Sequence, residues 1–154
     1  MKLTMGSISF DRALAYSVFR LSLGTNILIH GAGRIFGVGA EAFASKTAGE
    51  FGGTPLPPGV IHAFLVMLPL VELILGALIT IGLFTRWCLT LGGLLITALI
   101  FGTALRSDWT TVGIQMLYSI AYYLLLVNRT HNQFSLDALF HRNPRPLARP
   151  TPHG

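Results

Sequence analysis

The sequence is poor in the residues that soluble or disulfide-bonded enzymes rely on. It holds one cysteine, Cys88, in 154 residues. That excludes an internal disulfide and a thiolate-ligated cluster, and leaves the thiol beside Trp87 as a small apolar packing residue. Charge is just as scarce: 11% of residues are Asp, Glu, Lys or Arg, against 52% hydrophobic, and mean hydropathy is +0.63. Those values lie outside soluble-domain usage and imply a membrane protein. No Cys/His spacing suits zinc or an iron–sulfur cluster, no glycine-rich phosphate loop precedes a helix, and no Ser/His/Asp motif is evident. Hydrolytic and nucleotide chemistry therefore lack support, and no metal site is expected. The net charge of +5 does not point to nucleic acid, because the basic residues gather at segment ends and in the tail, not among exposed aromatics.

What the chain does have is long apolar runs. Four stretches, about 13–33, 60–84, 87–105 and 109–127, reach or approach the roughly 20 residues that cross a bilayer as helix. Alternation typical of barrel strands is absent, so the expected class is an all-α membrane protein, a four-transmembrane-helix bundle. The first stretch carries Arg20 and His30 and is followed by no small-residue cleavage site, so it is expected to remain as a helix and not to be removed as a signal peptide. Four crossings place both termini on one side. Lys2, Arg12, Arg86, Arg129, Arg142, Arg145 and Arg149 then share one face, and Arg34, Lys46 and Arg106 the other. By the positive-inside rule both termini are cytoplasmic, in the cytoplasmic (inner) membrane. Residues 1–140 make the membrane domain, and 141–154 a basic, Pro-rich cytoplasmic tail read as a topology signal. Between the first two stretches, Ala40, Phe43, Ala44, Thr47 and Phe51 recur at helical spacing, which predicts a short amphipathic interfacial helix lying as a lid over the bundle. The following "GGTPLPPG" ends it.

Polar residues inside such runs are costly, so each needs a reason. At 1.5 Å per residue, Arg20 lies roughly 15 Å into the first stretch from its cytoplasmic end and Glu72 roughly 18 Å into the second from its outer end. Both then fall near the midplane, and an intramembrane ion pair between Arg20 and Glu72 is expected, either as a registry clamp or as a proton or ligand site. Asn26 and His30 lie four apart, His62 opens the second stretch, and Gln115, Tyr118, Ser119 and Tyr122 make a stripe on the fourth. His30, His62, Gln115, Tyr118 and Tyr122 beside apolar walls suit a quinone, whose carbonyls need donors and whose isoprenoid tail needs lipid. Two other readings stay open: these groups bond to one another and glue the bundle, or His30 and His62 ligate a b-type haem from two sides. The third stretch supplies Thr90, Gly93, Thr97 and Ala104 as a small-residue packing face.

"FRLSLGTNILIHGAGRIFG" (Phe19 to Gly37), "ELILGALITIGLFTRW" (Glu72 to Trp87) and "NQFSLDALF" (Asn132 to Phe140) resemble the DoxX family of small four-helix membrane proteins. The matching positions are Arg20, His30, Gly31 and Arg34; Glu72, Gly76, Gly82 and Arg86; and Ser135, Leu136 and Asp137. The resemblance covers about residues 13 to 140 in matching order. It implies a four-helix bundle in the cytoplasmic membrane and, through relatives such as the small membrane subunit of thiosulfate:quinone oxidoreductase, contact with quinone and with partner subunits. The cysteines of thiol-handling relatives are missing apart from Cys88, which argues against a disulfide relay. In "SLD", Ser135 suits the N-cap of a short helix with Asp137 in its first turn.

Three functions fit these features. The first is a membrane subunit of a respiratory-type oxidoreductase contributing to a quinone site. The second is a structural or assembly subunit of a larger membrane complex without chemistry of its own. The third, a small proton-coupled transporter, needs a carboxylate free to titrate and is disfavoured by an arginine beside Glu72.

Overall fold

The computed structural model describes residues 5–140; the Pro-rich tail at 141–154 lies outside the described residues. Helices follow one another along the chain: α1 Met5–Ala32, continued by a π-helical stretch Gly33–Val38; α2 Ala40–Gly49; α3 Pro58–Ile81; α4 Thr85–Leu105; α5 Trp109–Val127; and, after a 3-10 turn at Arg129–His131, α6 Leu136–Phe140. No strand occurs among the described residues. α3, α4 and α5 are long and apolar enough to cross a bilayer. α1 is the longest helix, 28 residues, and begins at Met5 instead of near Ala13; no proline interrupts the polar lead "GSISFDR", so the helix runs through it.

The helix ends are written locally. Pro58 stands in the first turn of α3, where its missing N–H costs nothing. Gly82, at φ 72°, closes α3 in the left-handed conformation, and both its amide and that of Leu83 bond back to the Leu78 carbonyl. Asp108 caps α5 by accepting from the Thr111 amide at 3.1 Å and the Thr111 hydroxyl at 2.6 Å.

α1 and α3 pack antiparallel with glycine at the contact. Gly24 faces Thr80, Gly31 faces Pro69 and Leu73, and Gly76 faces Leu28; a Cβ on Gly24 would stand 2.6 Å from the Thr80 amide nitrogen, and one on Gly31 or Gly76 would overlap the opposite backbone. Small residues thus bring the two backbones together. The contacts share one register, since seven residues up α1 from Gly24 correspond to seven down α3 from Thr80. On that register Arg20 stands level with the turn after Gly82, whereas Glu72 stands level with the end of α1, roughly 18 Å away.

One apolar core joins Tyr16, Leu23, Leu75, Ile79, Leu89, Ile96, Tyr122 and Leu125, with Cys88 buried inside it. The close-packing glycine of α4 is Gly92, not Gly93: a Cβ there would overlap the Tyr122 ring, while one on Gly93 would sit at an ordinary 3.8 Å. A second cluster sets Ala44, with Phe43 and Phe51, onto Ile61, Leu65 and Leu68 of α3. Outside these cores Leu94, Phe101 and Leu117 are more than half exposed, as side chains facing lipid are.

Candidate functional site

The partner of Glu72 is Arg34, not Arg20. One guanidinium nitrogen of Arg34, Nη1, lies 2.5 Å from each oxygen of the buried Glu72 carboxylate, and the same guanidinium sits 4.6 Å over the Phe43 ring. The physical reason is the register just described. Counting from the apolar boundaries placed Arg20 and Glu72 at one depth, but the glycine contacts slide α1 so that its C-terminal end reaches Glu72. The π-helical continuation keeps Arg34 packed along α3, where a loop would have carried it away.

Around this pair lies a cavity of about 230 Å³ lined by His30, Arg34, Glu72, Gln115, Tyr118 and Tyr122, with Leu95, Ile96 and Ile114 among its apolar walls. A larger cavity of about 370 Å³ lies beneath α2, against Phe43, Phe51, Leu56, Phe64 and Leu68. The two share Arg34, Leu99, Thr111 and Gln115, so they adjoin. Gln115 stands at the junction: its Nε2 donates to the Thr103 hydroxyl at 3.0 Å, while its Oε1 is buried with no hydrogen-bond partner. The Tyr118 hydroxyl donates to Asn26 Oδ1 at 3.0 Å. Tyr122 is buried against Gly92, with its hydroxyl in electrostatic reach of Glu72 and Tyr118. Arg106 closes the rim of the larger cavity by pairing with Glu50 and stacking 5.0 Å from the Phe51 ring, which fastens the end of α2. Next to it, the hydrogen bonds from Thr111 hold the Asp108 carboxyl below the usual carboxylate range.

Four of the five expected ligand residues, His30, Gln115, Tyr118 and Tyr122, therefore meet. His62 does not join them. Its Nε2 lies 2.9 Å from Glu41 of α2, and it lines neither cavity. It stands roughly 15 Å along α3 from Glu72, which faces His30. The two histidines do not look across one space, so these residues do not fit an iron held between them.

A second polar cluster occupies the other end of the bundle. Arg20, 2% exposed, donates from Nη1 to the carbonyls of Ile79 (2.5 Å) and Thr80 (2.6 Å), and from Nη2 to that of Phe134 (2.8 Å). Asp137 accepts from the Phe84 and Thr85 amides at 2.8 Å each, so it caps α4 from across the fold, and its own amide donates to the Gly82 carbonyl. Ser135 accepts from the Ala138 amide at 3.2 Å and caps α6. A side chain on Gly82 would strike Ser135 at 2.5 Å and Arg20 at 2.9 Å. Arg20, Gly82, Ser135 and Asp137 come from three separate sequence motifs and make one clamp. Its bonds run to the backbone, which is the arrangement of a structural joint, and Arg20 Nε, Tyr16 Oη and Asn132 Oδ1 are buried beside it without a hydrogen-bond partner.

Sequence reasoning missed Arg34 as an intramembrane partner and Asp137 as a cap on α4. The first had half a signal: Gly24 and Gly31 recur at a seven-residue spacing that marks the face of α1 suited to close packing, but the level at which it meets α3 appears only in the contacts. The second had none short of knowing that the segment after α5 folds back.

A family model described as "TQO small subunit DoxD" matches residues 53–147, which run from before α3 past the end of α6 and include Glu72, Gly82, Arg86, Ser135 and Asp137. No curated protein and no solved structure matches the chain. With a family match over more than half of its length and three helices long and apolar enough to cross a bilayer, the chain is a multi-pass membrane protein that belongs to the DoxD family.

Proposed function

We propose that this protein is a membrane subunit of an oxidoreductase and that its two adjoining cavities hold the quinone. The ring occupies the smaller cavity and the isoprenoid tail runs into the larger one beneath α2. The observation that carries this reading is Gln115 at the junction, with a buried acceptor that no described residue satisfies. An unmet buried acceptor is costly, and a quinol hydroxyl supplies the donor it lacks. The Tyr122 hydroxyl is the complementary donor for a quinone carbonyl. Reduction to quinol takes two electrons and two protons. The electrons come from a redox centre on a partner subunit, in keeping with the description of the matching family as a small subunit. Arg34 keeps the Glu72 charge inside the bundle compensated, so that carboxylate orders the cavity wall and does not act as a free carrier.

In this reading α1 is the fourth crossing, since it packs along α3 over the Gly24–Gly31 contact, and α2 lies in the interface. Both termini face the cytoplasm, across the inner membrane: Arg86 and Arg129 share one end of the bundle and Arg34 and Arg106 the other, and the sequence adds Lys2, Arg12, Arg142, Arg145 and Arg149 to the first set against Lys46 alone. A structural or assembly subunit without chemistry of its own is favoured by one observation, the Tyr118–Asn26 bond, which ties α5 to α1 with no ligand between.

The test is mild-detergent purification from native membranes with quantification of extracted quinone. About one quinone per chain is expected. Loss of roughly tenfold occupancy in Gln115→Leu, at unchanged thermal stability, supports the site, since one good hydrogen bond is worth about that factor. A folded chain that brings its partner subunits but no quinone overturns it in favour of the structural role.

A further inference from the structure

At the end opposite the cavities, the first turn of α4, the 3-10 turn and α6 enclose an open cleft of about 610 Å³ lined by Thr85, Arg86, Trp87, Arg129, Thr130 and Asp137, among others. Nothing in the quinone reading uses it. Arg86 and Arg129 are both exposed. Neither is paired with a carboxylate among the described residues; Arg86 only stacks 5.5 Å from the Trp87 ring. Asp137, the carboxylate that lines the cleft, has each oxygen accepting a backbone amide of α4. The cleft thus presents two guanidinium groups and the Thr130 hydroxyl, and neither guanidinium is held in an ion pair among the described residues. Arginines so placed call for a phosphate, which they bind with paired N–H donors.

The surroundings say where that phosphate comes from. Phe84 and Trp87 flank the cleft, each 62% exposed, and Trp at a helix start marks headgroup level. From Trp87 a stripe of exposed apolar side chains continues along α4 through Leu91 and Leu94 at i+4 and i+7. A soluble phosphate has no use for such a track, whereas an acyl chain does. We propose that the cleft binds an anionic phospholipid, its phosphodiester between Arg86 and Arg129 and an acyl chain along Trp87, Leu91 and Leu94.

The full chain, delipidated in detergent, is titrated with phosphatidylglycerol and with phosphatidylcholine, and bound lipid is counted by native mass spectrometry. Phosphatidylglycerol is expected to bind at least tenfold more tightly. Each of Arg86→Gln and Arg129→Gln weakens it about fivefold and the double variant about 30-fold, the effect of removing one or two cations at a lipid surface. Arg12→Gln, an exposed arginine on the same side of the bundle but outside the cleft, leaves binding unchanged. Both cleft arginines are exposed, so the variants keep the wild-type thermal midpoint; if the double variant does not, the single variants carry the test. Equal retention of both lipids, or an Arg12→Gln effect as large as that of the cleft variants, overturns the proposal. So does glycerol phosphate binding as tightly as the lipid with the same arginine dependence, which would assign the cleft to a soluble anion.

Discussion

Arg20 and Arg34 lie on the same helical run, both partly or wholly buried, and do opposite things. Arg20 is spent on three backbone carbonyls from two distant segments. Arg34 is spent on one carboxylate that borders a cavity. A carbonyl cannot titrate or leave, so the first arrangement fixes geometry. A carboxylate can be displaced, protonated or joined by a third group, so the second can respond to a ligand. An arginine inside a membrane protein is therefore not by itself a functional mark; what it donates to decides its use.

The largest effect separating the two ends is expected from Arg20→Ala. It strands the Thr80 and Phe134 carbonyls at the junction of α1, α3 and the segment before α6, while the Ile79 carbonyl keeps the Gly82 amide at 3.2 Å; each stranded group costs about 1–3 kcal/mol when buried without a partner. A loss near 4 kcal/mol in denaturation of the purified protein is expected, with Arg20→Lys recovering part of it. Wild-type stability of Arg20→Ala would erase the contrast, since the clamp would then hold nothing.

Arg34→Gln comes next. Breaking a fully buried pair costs about 3–5 kcal/mol; the Arg34 side chain is 27% exposed, so about 2 kcal/mol is expected. Adding Glu72→Gln should return much of that, because an uncharged pair leaves no charge stranded. A double-mutant cycle with a coupling of about 1 kcal/mol or more checks it. Quinone occupancy sharpens the comparison, because it should fall in Arg34→Gln and stay unchanged in Arg20→Lys. Asp137→Ala follows, at roughly 1–2 kcal/mol for the lost cap on α4, with no change in quinone occupancy. A fall in occupancy for Asp137→Ala would mean that the two ends are coupled.

How far these two ends could be read in advance follows from how each is built. Residence in a membrane and the all-helical class come from composition and run length, quantities that survive without knowing any contact. That Gln115, Tyr118 and Tyr122 share one wall was also legible, because they sit at helical spacing on one stripe of α5; His30 joins them from α1. The partner of Glu72 was not, since depth counted from apolar boundaries assumes helices start where hydropathy does. α1 starts at Met5, and its level against α3 is set by Gly24, Gly31 and Gly76, whose meaning appears only in the packed pair. His62 was placed with the others by residue type and by its depth at the start of the second stretch. Glu41, in the first turn of a helix expected only as a lid, is what draws it to α2. The role of Asp137 needs a contact between segments more than fifty residues apart in sequence, as its bond to Thr85 shows, and no local pattern encodes that.

The smallest expected effect concerns the rim of the larger cavity, where Asp108 holds the first turn of α5. Hydrogen bonds from the Thr111 hydroxyl and amide hold its carboxyl below the usual range, with Arg106 adding to the effect. A carboxyl whose folded value lies below its unfolded one stabilises the fold at every pH above the unfolded value, about 3.9, and loses that contribution as pH falls through the folded value. Asp108→Asn keeps a side-chain oxygen for the Thr111 amide but cannot ionise. Thermal midpoints of wild type and Asp108→Asn should therefore differ by a small constant amount from pH 8 to about pH 5 and converge below about pH 4. Glu72 lies inside the bundle in both proteins, so any acid effect on it cancels in the difference. A gap that widened with acidification would mean that the protonated form is the better cap, and that α5 begins on the hydroxyl of Thr111 and not on the charge of Asp108.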